Sequence, residues 1–254
     1  MKEIGSLKNP LIKEIKKLQQ KKYRDKTGSY LLEGFHLVQE AHKAGITFSA
    51  VFVSQRGLQE WDKWFAAELP EMTLVSDDIL KSLASQPTPQ GIIAVAKTTE
   101  ETTIDYHGAW LLLDNVQDPG NVGTLIRTAD AAGFSGVVLG DGSADLYNPK
   151  TLRSTQGSLY HLSVVSQNLM TVMADFKETG VIIGTALDKQ AKDYRTVAPP
   201  ENFALVLGNE GQGVSKEVLA QVGVTTYIEM KGQAESLNVA IAGGILMFHL
   251  INQA

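Results

Sequence analysis

The 254-residue chain contains no cysteine, which removes disulfides, cysteine-ligated zinc, iron–sulfur clusters and any thiol nucleophile. Its five histidines (His36, His42, His107, His161, His249) are scattered, with no pair at the i, i+4 spacing of a helical metal site, so no resident metal is expected. No stretch approaches the roughly 18 uninterrupted apolar residues that a membrane span needs. The opening MKEIGSLKNPLIKEIKKLQQ is charged and lacks the apolar core of a secretory signal, so the expected location is the cytoplasm. No G-x-x-x-x-G-K-[ST] loop and no tandem repeat or low-complexity tract occurs.

What is present is a soluble, globular composition, 43% hydrophobic and 20% charged, in a chain long enough for two domains. The net charge of −5 is unevenly placed. Residues 1–26 hold nine Lys/Arg against Glu3, Glu14 and Asp25, a local +6 on a body of −11. Lys13, Lys16, Lys17, Lys21, Lys22 and Arg24 are therefore candidates for contacts to nucleic-acid phosphates. A solvated lysine-rich helix face would look the same.

The first hundred residues alternate helical and strand patterns. Leu11, Ile12, Ile15 and Leu18 follow helical spacing behind the cap and first-turn pair Asn9-Pro10. SYLLEG is a short apolar stretch, and a helix is expected over 34–44 before Gly45. AVFVS, TLVS and GIIAVAK read as strands, and SDDILKSLAS as a helix capped by Ser76 or Asp77. KTTEETTIDYHG then breaks all periodicity. The expected layout is an N-terminal domain over 1–97, a linker over 98–107 and a second domain over 108–254. In that second domain WLLLDNV, GVVLG, LSVV, VIIGTAL and FALVLG alternate with helical stretches such as NVGTLIRTADAAG and SKEVLAQVG. Buried strands alternating with helices predict an α/β fold whose parallel sheet is covered on both faces, with ligands at the carboxyl ends of the strands.

Three loops at such ends carry polar residues. In LVLGNEGQGVS the glycines Gly208, Gly211 and Gly213 are spaced G-x-x-G-x-G, not G-x-G-x-x-G, and Glu210 inside the loop would repel a pyrophosphate. A nicotinamide oxidoreductase is disfavoured on that ground. NVQDPGNVGTLIRTADAAG places Pro119-Gly120 in a turn, with Asn121 positioned to cap a helix carrying Arg127. IEMKGQAESLNVAIAGGILMFHL runs from a strand end through Gly232 into an apolar terminal helix, with Ser236 and Asn238 at its start and small residues Ala240, Ala242, Gly243 and Gly244 along it.

DNVQDPGNVGTLIRTADAAGF, LGNEGQGVS and IEMKGQAESLNVAIAGGI resemble, in order, the three motifs of the SpoU (TrmH-like) RNA ribose 2′-O-methyltransferases of the SPOUT superfamily, and RSTQGS (153–158) resembles their Arg-Ser-x-Gly segment. The resemblance covers about residues 106–254. More weakly, the N-terminal part is similar to the family's RNA substrate-binding domain, whose fold is like that of small ribosomal proteins. The resemblance implies a parallel α/β sheet with a deep trefoil knot, and a knot pocket for S-adenosylmethionine with no metal. Gly208, Ile228 and Leu237 match cofactor-contact positions, and Asn209 and Gly213 lie in the same loop. Arg127, Asn121, Glu210, Ser236 and Asn238 match the catalytic positions. Arg153 joins the basic N-terminal residues as an RNA contact. A homodimer packed through the knot helices is implied too, with an arginine often completing the neighbour's site. Where the family usually has Ile-Pro-Met, this chain has Ile228-Glu229-Met230, so a proline that stiffens the strand end is missing.

The implied chemistry suits the residue inventory. Methyl transfer from a sulfonium needs neither metal nor covalent nucleophile. Without cysteine the covalent cytosine-C5 and cluster-dependent radical routes are closed, which leaves an oxygen or nitrogen acceptor. A guanidinium with a pKa above about 12 is a poor base. Arg127 is therefore expected first to clamp a phosphate or orient the hydroxyl, and second to accept a proton. A separate N-terminal module and a basic leading segment favour 23S-type ribosomal RNA over transfer RNA. The alternative is a knotted RNA-binding or ribosome assembly factor without activity, but the intact polar set argues for the enzyme.

Overall fold

In the computed structural model, which describes residues 2–68, 71–98, 104, 106–186 and 190–253 (without the side chains of 66 and 67), the chain forms two units. Met1–Glu100 and Tyr147–Tyr160 make up the first; Glu101–Leu146 and His161–Ala254 make up the second. Of the linker expected over 98–107, residues 99–103 and 105 lie outside the described residues.

The first unit carries strands β1 (Lys2–Ile4), β2 (Ser29–Glu33), β3 (Phe48–Val53), β4 (Thr73–Val75) and β5 (Ile92–Lys97), in the spatial order β1-β4-β3-β5-β2. Its helices are α1 (Pro10–Lys16), α2 (Lys21–Thr27), α3 (Phe35–Lys43), α4 (Gln55–Glu60), α5 (Asp62–Glu68) and α6 (Asp77–Leu83). The side chain of Asn9 accepts from Leu11 N and Pro10 opens α1; the Ser76 hydroxyl accepts from Ile79 N and caps α6. Alternation along the strands makes two cores. Leu31, Phe52, Ile93 and Val95 meet Ile12, Ile15 and Leu18 and the α6 residues Ile79, Leu80 and Leu83. Tyr30, Leu32, Val51 and Val53 meet α3 and also Leu152, from a helix much later in the chain, α8 (Pro149–Thr155). The RSTQGS segment is thus part of the first unit, where the Tyr30 and Tyr160 hydroxyls lie 3.1 Å apart.

The second unit holds β6 (Ala109–Asp114), α7 (Pro119–Ala132), β7 (Gly136–Leu139), β8 (Ser163–Ser166), α9 (Leu169–Phe176), β9 (Val181–Thr185), β10 (Lys192–Asp193), β11 (Phe203–Gly208), α10 (Lys216–Leu219), β12 (Val224–Tyr227) and α11 (Val239–Ile251). Its seven strands are ordered β10-β12-β9-β11-β6-β7-β8 and every pairing is parallel. Trp110, Leu112, Ala204 and Val206 pack against α9 and α10 on one face. Leu111, Leu113, Leu205 and Leu207 point the other way, where α7 and α11 lie against each other and the sheet. Gly243 makes that packing possible: a β-carbon there would come within 2.5 Å of Leu125 and 2.7 Å of Leu207. β6, β7, β11 and most of β9 are buried as expected, whereas β8, from LSVV, is an edge strand with only Val165 buried; the sheet's carboxyl edge gathers all three motif loops.

Candidate active site

β6 and β11 are neighbours in register, Leu113 with Leu207 and Asp114 with Gly208, so the loops leaving them emerge side by side. Asp118, not Asn121, caps α7: its carboxylate accepts from Asn121 N at 2.9 Å, and Pro119 takes the first helical position. The expectation that Asn121 caps the helix is corrected by this geometry. Asn121 sits one turn inside, which frees its side chain for other work. Its amide donates to Glu210 Oε1 at 3.0 Å, and its oxygen accepts from Asn238 Nδ2 at 3.0 Å. Glu210 also accepts from Gln117 N at 3.2 Å and Asp118 N at 3.1 Å. Partial burial pushes its carboxyl up, but the Asn121 amide and these backbone N–H groups outweigh that and hold it below the usual carboxylate range. Glu210 is therefore an ionised staple across the two loops.

Asn209 fixes the glycine loop from within. Its oxygen accepts from Gly211 N and Gln212 N at 2.9 and 3.1 Å, its amide donates to Asn115 O at 2.9 Å, and its backbone pairs both ways with Gly213. Gly208 has no room for a side chain. Ser215 N donates to Asp114 Oδ2 at 2.7 Å, returning the loop to β6. In the third motif Asn238 caps α11, its oxygen accepting from Ala240 N and Ile241 N. One polar chain, Glu210–Asn121–Asn238, thus joins the three loops.

Between the second and third of them lies a cavity of about 400 Å³, lined by Gly208, Asn209, Glu210, Gly211, Gly213, Ile228, Ser236, Leu237 and Ala242 among the residues singled out from the sequence. Thr185, Leu207, Tyr227, Met230, Glu235, Val239 and Leu246 complete much of the wall; none of these was assigned a site role in advance, although Leu207, Met230, Glu235 and Val239 fall within the motifs. Asn121 and Asn238 stand behind the wall and act on it through Glu210. Arg127 is elsewhere: it is exposed on α7, does not line the cavity, and has no hydrogen bond or ion pair among the described residues.

Volume and lining suit S-adenosylmethionine. A cavity of this size lies in the range for small-molecule sites. Its apolar walls (Leu207, Ile228, Met230, Leu237) offer a bed for an adenine, and the carboxylate of Glu235 suits a cationic ligand. Leu237 stays 37% exposed, an apolar side chain at the cavity with little of its own chain covering it.

Comparison with known proteins agrees. Residues 108–248 match the SpoU rRNA Methylase family, and residues 9–94 match the MRM3-like substrate binding domain. The chain belongs to the SpoU rRNA methylase family. It is 45% identical over 251 residues to the 23S rRNA (guanosine(2553)-2′-O)-methyltransferase RlmP of Bacillus subtilis, covering 98% of this chain and 99% of that one. Among solved structures, an AdoMet-bound rRNA methyltransferase from Sinorhizobium meliloti superposes with a TM-score of 0.86 at 31% identity, over 98% of this chain and 96% of the other. The SpoU methyltransferase AviRb from Streptomyces viridochromogenes, in complex with the cofactor AdoMet, gives 0.86 at 25% identity, over 97% and 98%.

The basic end of this SpoU methylase divides into two kinds of cation. Arg24 is 4% exposed and donates from Nη1 to Leu18 O at 2.8 Å and Gln19 O at 2.9 Å. Its guanidinium closes the turn before α2, so the expectation that it contacts RNA is corrected. Lys17 pairs with Glu14 at 2.6 Å and Lys21 with Asp25 at 3.0 Å, while Arg153 Nη1 donates to Ser85 Oγ at 2.7 Å. Lys13, Lys16 and Lys22 are exposed and have no ion pair among the described residues. Replacing these three by alanine should weaken RNA binding uniformly across sequences. The slope of log K against log salt should then flatten by roughly 2 to 3, at about 0.7–0.9 per lost phosphate contact. Filter binding from low to moderate salt measures this. An unchanged slope would remove the three lysines from the RNA surface. Deleting residues 1–26 is a poor substitute test, because Ile12, Ile15 and Leu18 are core residues.

Proposed function

We propose that the protein transfers the methyl group of S-adenosylmethionine to a ribose 2′-hydroxyl of ribosomal RNA, 23S-type in preference to transfer RNA, acting in the cytoplasm. One observation carries this: a cavity at the strand ends is bounded by the glycine loop and the α11 entry, and a polar chain ties both to the start of α7. When bound, S-adenosylmethionine supplies an already activated methyl on a sulfonium, so the chain's own residues need only align the acceptor oxygen and help it lose its proton. The Gly208–Gly213 backbone, Ile228 and Leu237 hold the donor. Asn121, Glu210 and Asn238 keep the loops in register. Ser236 lines the cavity and makes no hydrogen bond among the described residues, so its hydroxyl is available to the ribose. The RlmP likeness, which spans nearly all of both chains, supports the choice of RNA.

Arg127 is assigned to the acceptor side, clamping a phosphate or orienting the 2′-hydroxyl. Its absence from the cavity lining within one chain favours a homodimer in which Arg127 of one protomer completes the other's site. Ile241 and Phe248, 57% and 48% exposed on α11, together with Ile245, supply an apolar stripe for that contact. We further assign the knotted topology of the superfamily to the α11 region. The N-terminal unit is given the task of gripping RNA.

Two measurements test the whole. Calorimetry with S-adenosylmethionine and no added metal should show saturable binding, and an absence of heat at saturating ligand rejects the cavity assignment. Nucleoside mass spectrometry of RNA from cells with and without the chain should show one 2′-O-methylated nucleoside lost from the large-subunit RNA. Base methylation, or loss from transfer RNA, would overturn the substrate.

A further inference from the structure

Each wall of the cavity has its own anchor. Asn209 holds the glycine loop, and Asn238 with Asn121 holds the α11 entry. The third wall, Ile228 to Met230, runs past the end of β12. The last ladder pair there is Asp193 with Tyr227, and no backbone hydrogen bond outside the ladders holds 228–230 among the described residues. Ile228 and Met230 both line the cavity, so whatever fixes Glu229 between them fixes the wall.

Glu229 has a partner. Its Oε2 accepts from Arg195 Nη2 at 3.1 Å. Arg195 is itself gripped in a two-pronged pair by Asp193: Nε donates to Oδ1 at 2.8 Å, Nη2 donates to Oδ2, and Arg195 N adds a bond to Oδ1 at 3.0 Å. Thr196 Oγ1 donates to Asp193 O at 2.8 Å and tightens the same turn. Between these residues, Tyr194 sets its ring edge-on to His249 of α11, centroids 5.0 Å apart. α11 supplies Val239, Ala242 and Leu246 to the cavity. The turn at 193–196 therefore touches two walls at once.

We propose that this turn is a brace for the cofactor cavity: Arg195 is a positioning residue that holds the Ile228–Met230 wall through Glu229 and keeps it in register with α11 through Tyr194 and His249. The proposal rests on the cavity being the S-adenosylmethionine site. A planar guanidinium suits the task because it engages one carboxylate with two donors and still reaches a second. The hydrogen bonds from Arg195 hold the Asp193 carboxyl down to about 2, so the pair stays charged at any pH at which the enzyme works. Both Arg195 and Glu229 are about half exposed, so the brace is modest and salt-sensitive.

The test is calorimetry of S-adenosylmethionine binding to the full-length protein and to Arg195→Ala, Glu229→Gln and the double variant. Each single variant should raise Kd about threefold to fivefold, the range of a well-formed exposed pair. The double variant should be no weaker than the weaker single, since both remove one link. In turnover assays KM for the donor should rise with kcat unchanged, and the unliganded melting temperature should move by less than about 2 °C. A merely structural pair would move the melting temperature and leave KM alone. Arg195→Ala with parental Kd, or single effects that sum in the double variant, overturns the brace while the cavity assignment stands. A parent protein that gives no heat overturns the cavity assignment itself.

Discussion

Arg127→Ala should cut methyl transfer by roughly 10²- to 10³-fold while the affinity for S-adenosylmethionine stays within about twofold of the parent. The size is that of removing one pre-oriented donor from a reacting centre. The separation of the two effects follows from position. Arg127 projects from the exposed side of α7, away from the cavity lining, so no wall of the donor pocket depends on it. Nor is it committed to any carboxylate among the described residues, so its fork of donors is available to RNA. Arg127→Lys keeps the charge but loses the fork and should recover only a small part of the rate. Labelled methyl transfer to ribosomal RNA, with calorimetry alongside, measures both quantities. Unchanged turnover would take Arg127 out of the mechanism, and a matching loss of donor affinity would place it in the pocket.

Long apolar stretches were legible because burial on both faces leaves a continuous signature. WLLLD, FALVLG and GIIAVAK became central strands. The short polar strands left no such signature: Lys2–Ile4 and Lys192–Asp193, at sheet edges, and Val224–Tyr227, beside one, are two to four residues long and partly polar. Asn121 and Asp118 are both good capping residues three positions apart, and helical pattern alone does not separate them. Pro119 does, because a proline fits the first helical position, and that clue points to Asp118. Charge counting could not foresee Arg24, whose guanidinium is drawn inward by the orphan carbonyls of Leu18 and Gln19 at a turn end. Local pattern also says nothing about which core takes Leu152, so the packing of α8 within the first unit emerges only in three dimensions. The motif loops were legible as a group through their resemblance, Met230 and Glu235 among them, but that these two residues and Tyr227 face the cavity was not, since they carry no distinctive spacing.

Gly208→Ala should weaken S-adenosylmethionine binding by at least about a hundredfold and lower the melting temperature, whereas Gly211→Ala three residues on should do neither. A β-carbon on Gly208 would lie 2.1 Å from the carbonyl carbon of Gly213 and 2.1 Å from Val214 N. These are backbone atoms, held by the paired Asn209 and Gly213 and by Ser215 on Asp114, and no flexible side chain can yield. Overpacking of this kind costs about 1–3 kcal/mol or more, equivalent to roughly 2–4 °C per kcal/mol in a unit of this size. The strain is relieved by opening the loop, which is the cavity wall, so binding suffers more than stability. At Gly211 the nearest atom to an added β-carbon is Asn209 Oδ1 at 3.7 Å, an ordinary contact. Thermal melting and calorimetry on the two variants separate a tight crossing of backbones from a general need for flexible glycine. If Gly208→Ala binds the donor within threefold of the parent, the crossing is not what shapes the pocket; if Gly211→Ala fails equally, loop freedom is the governing property.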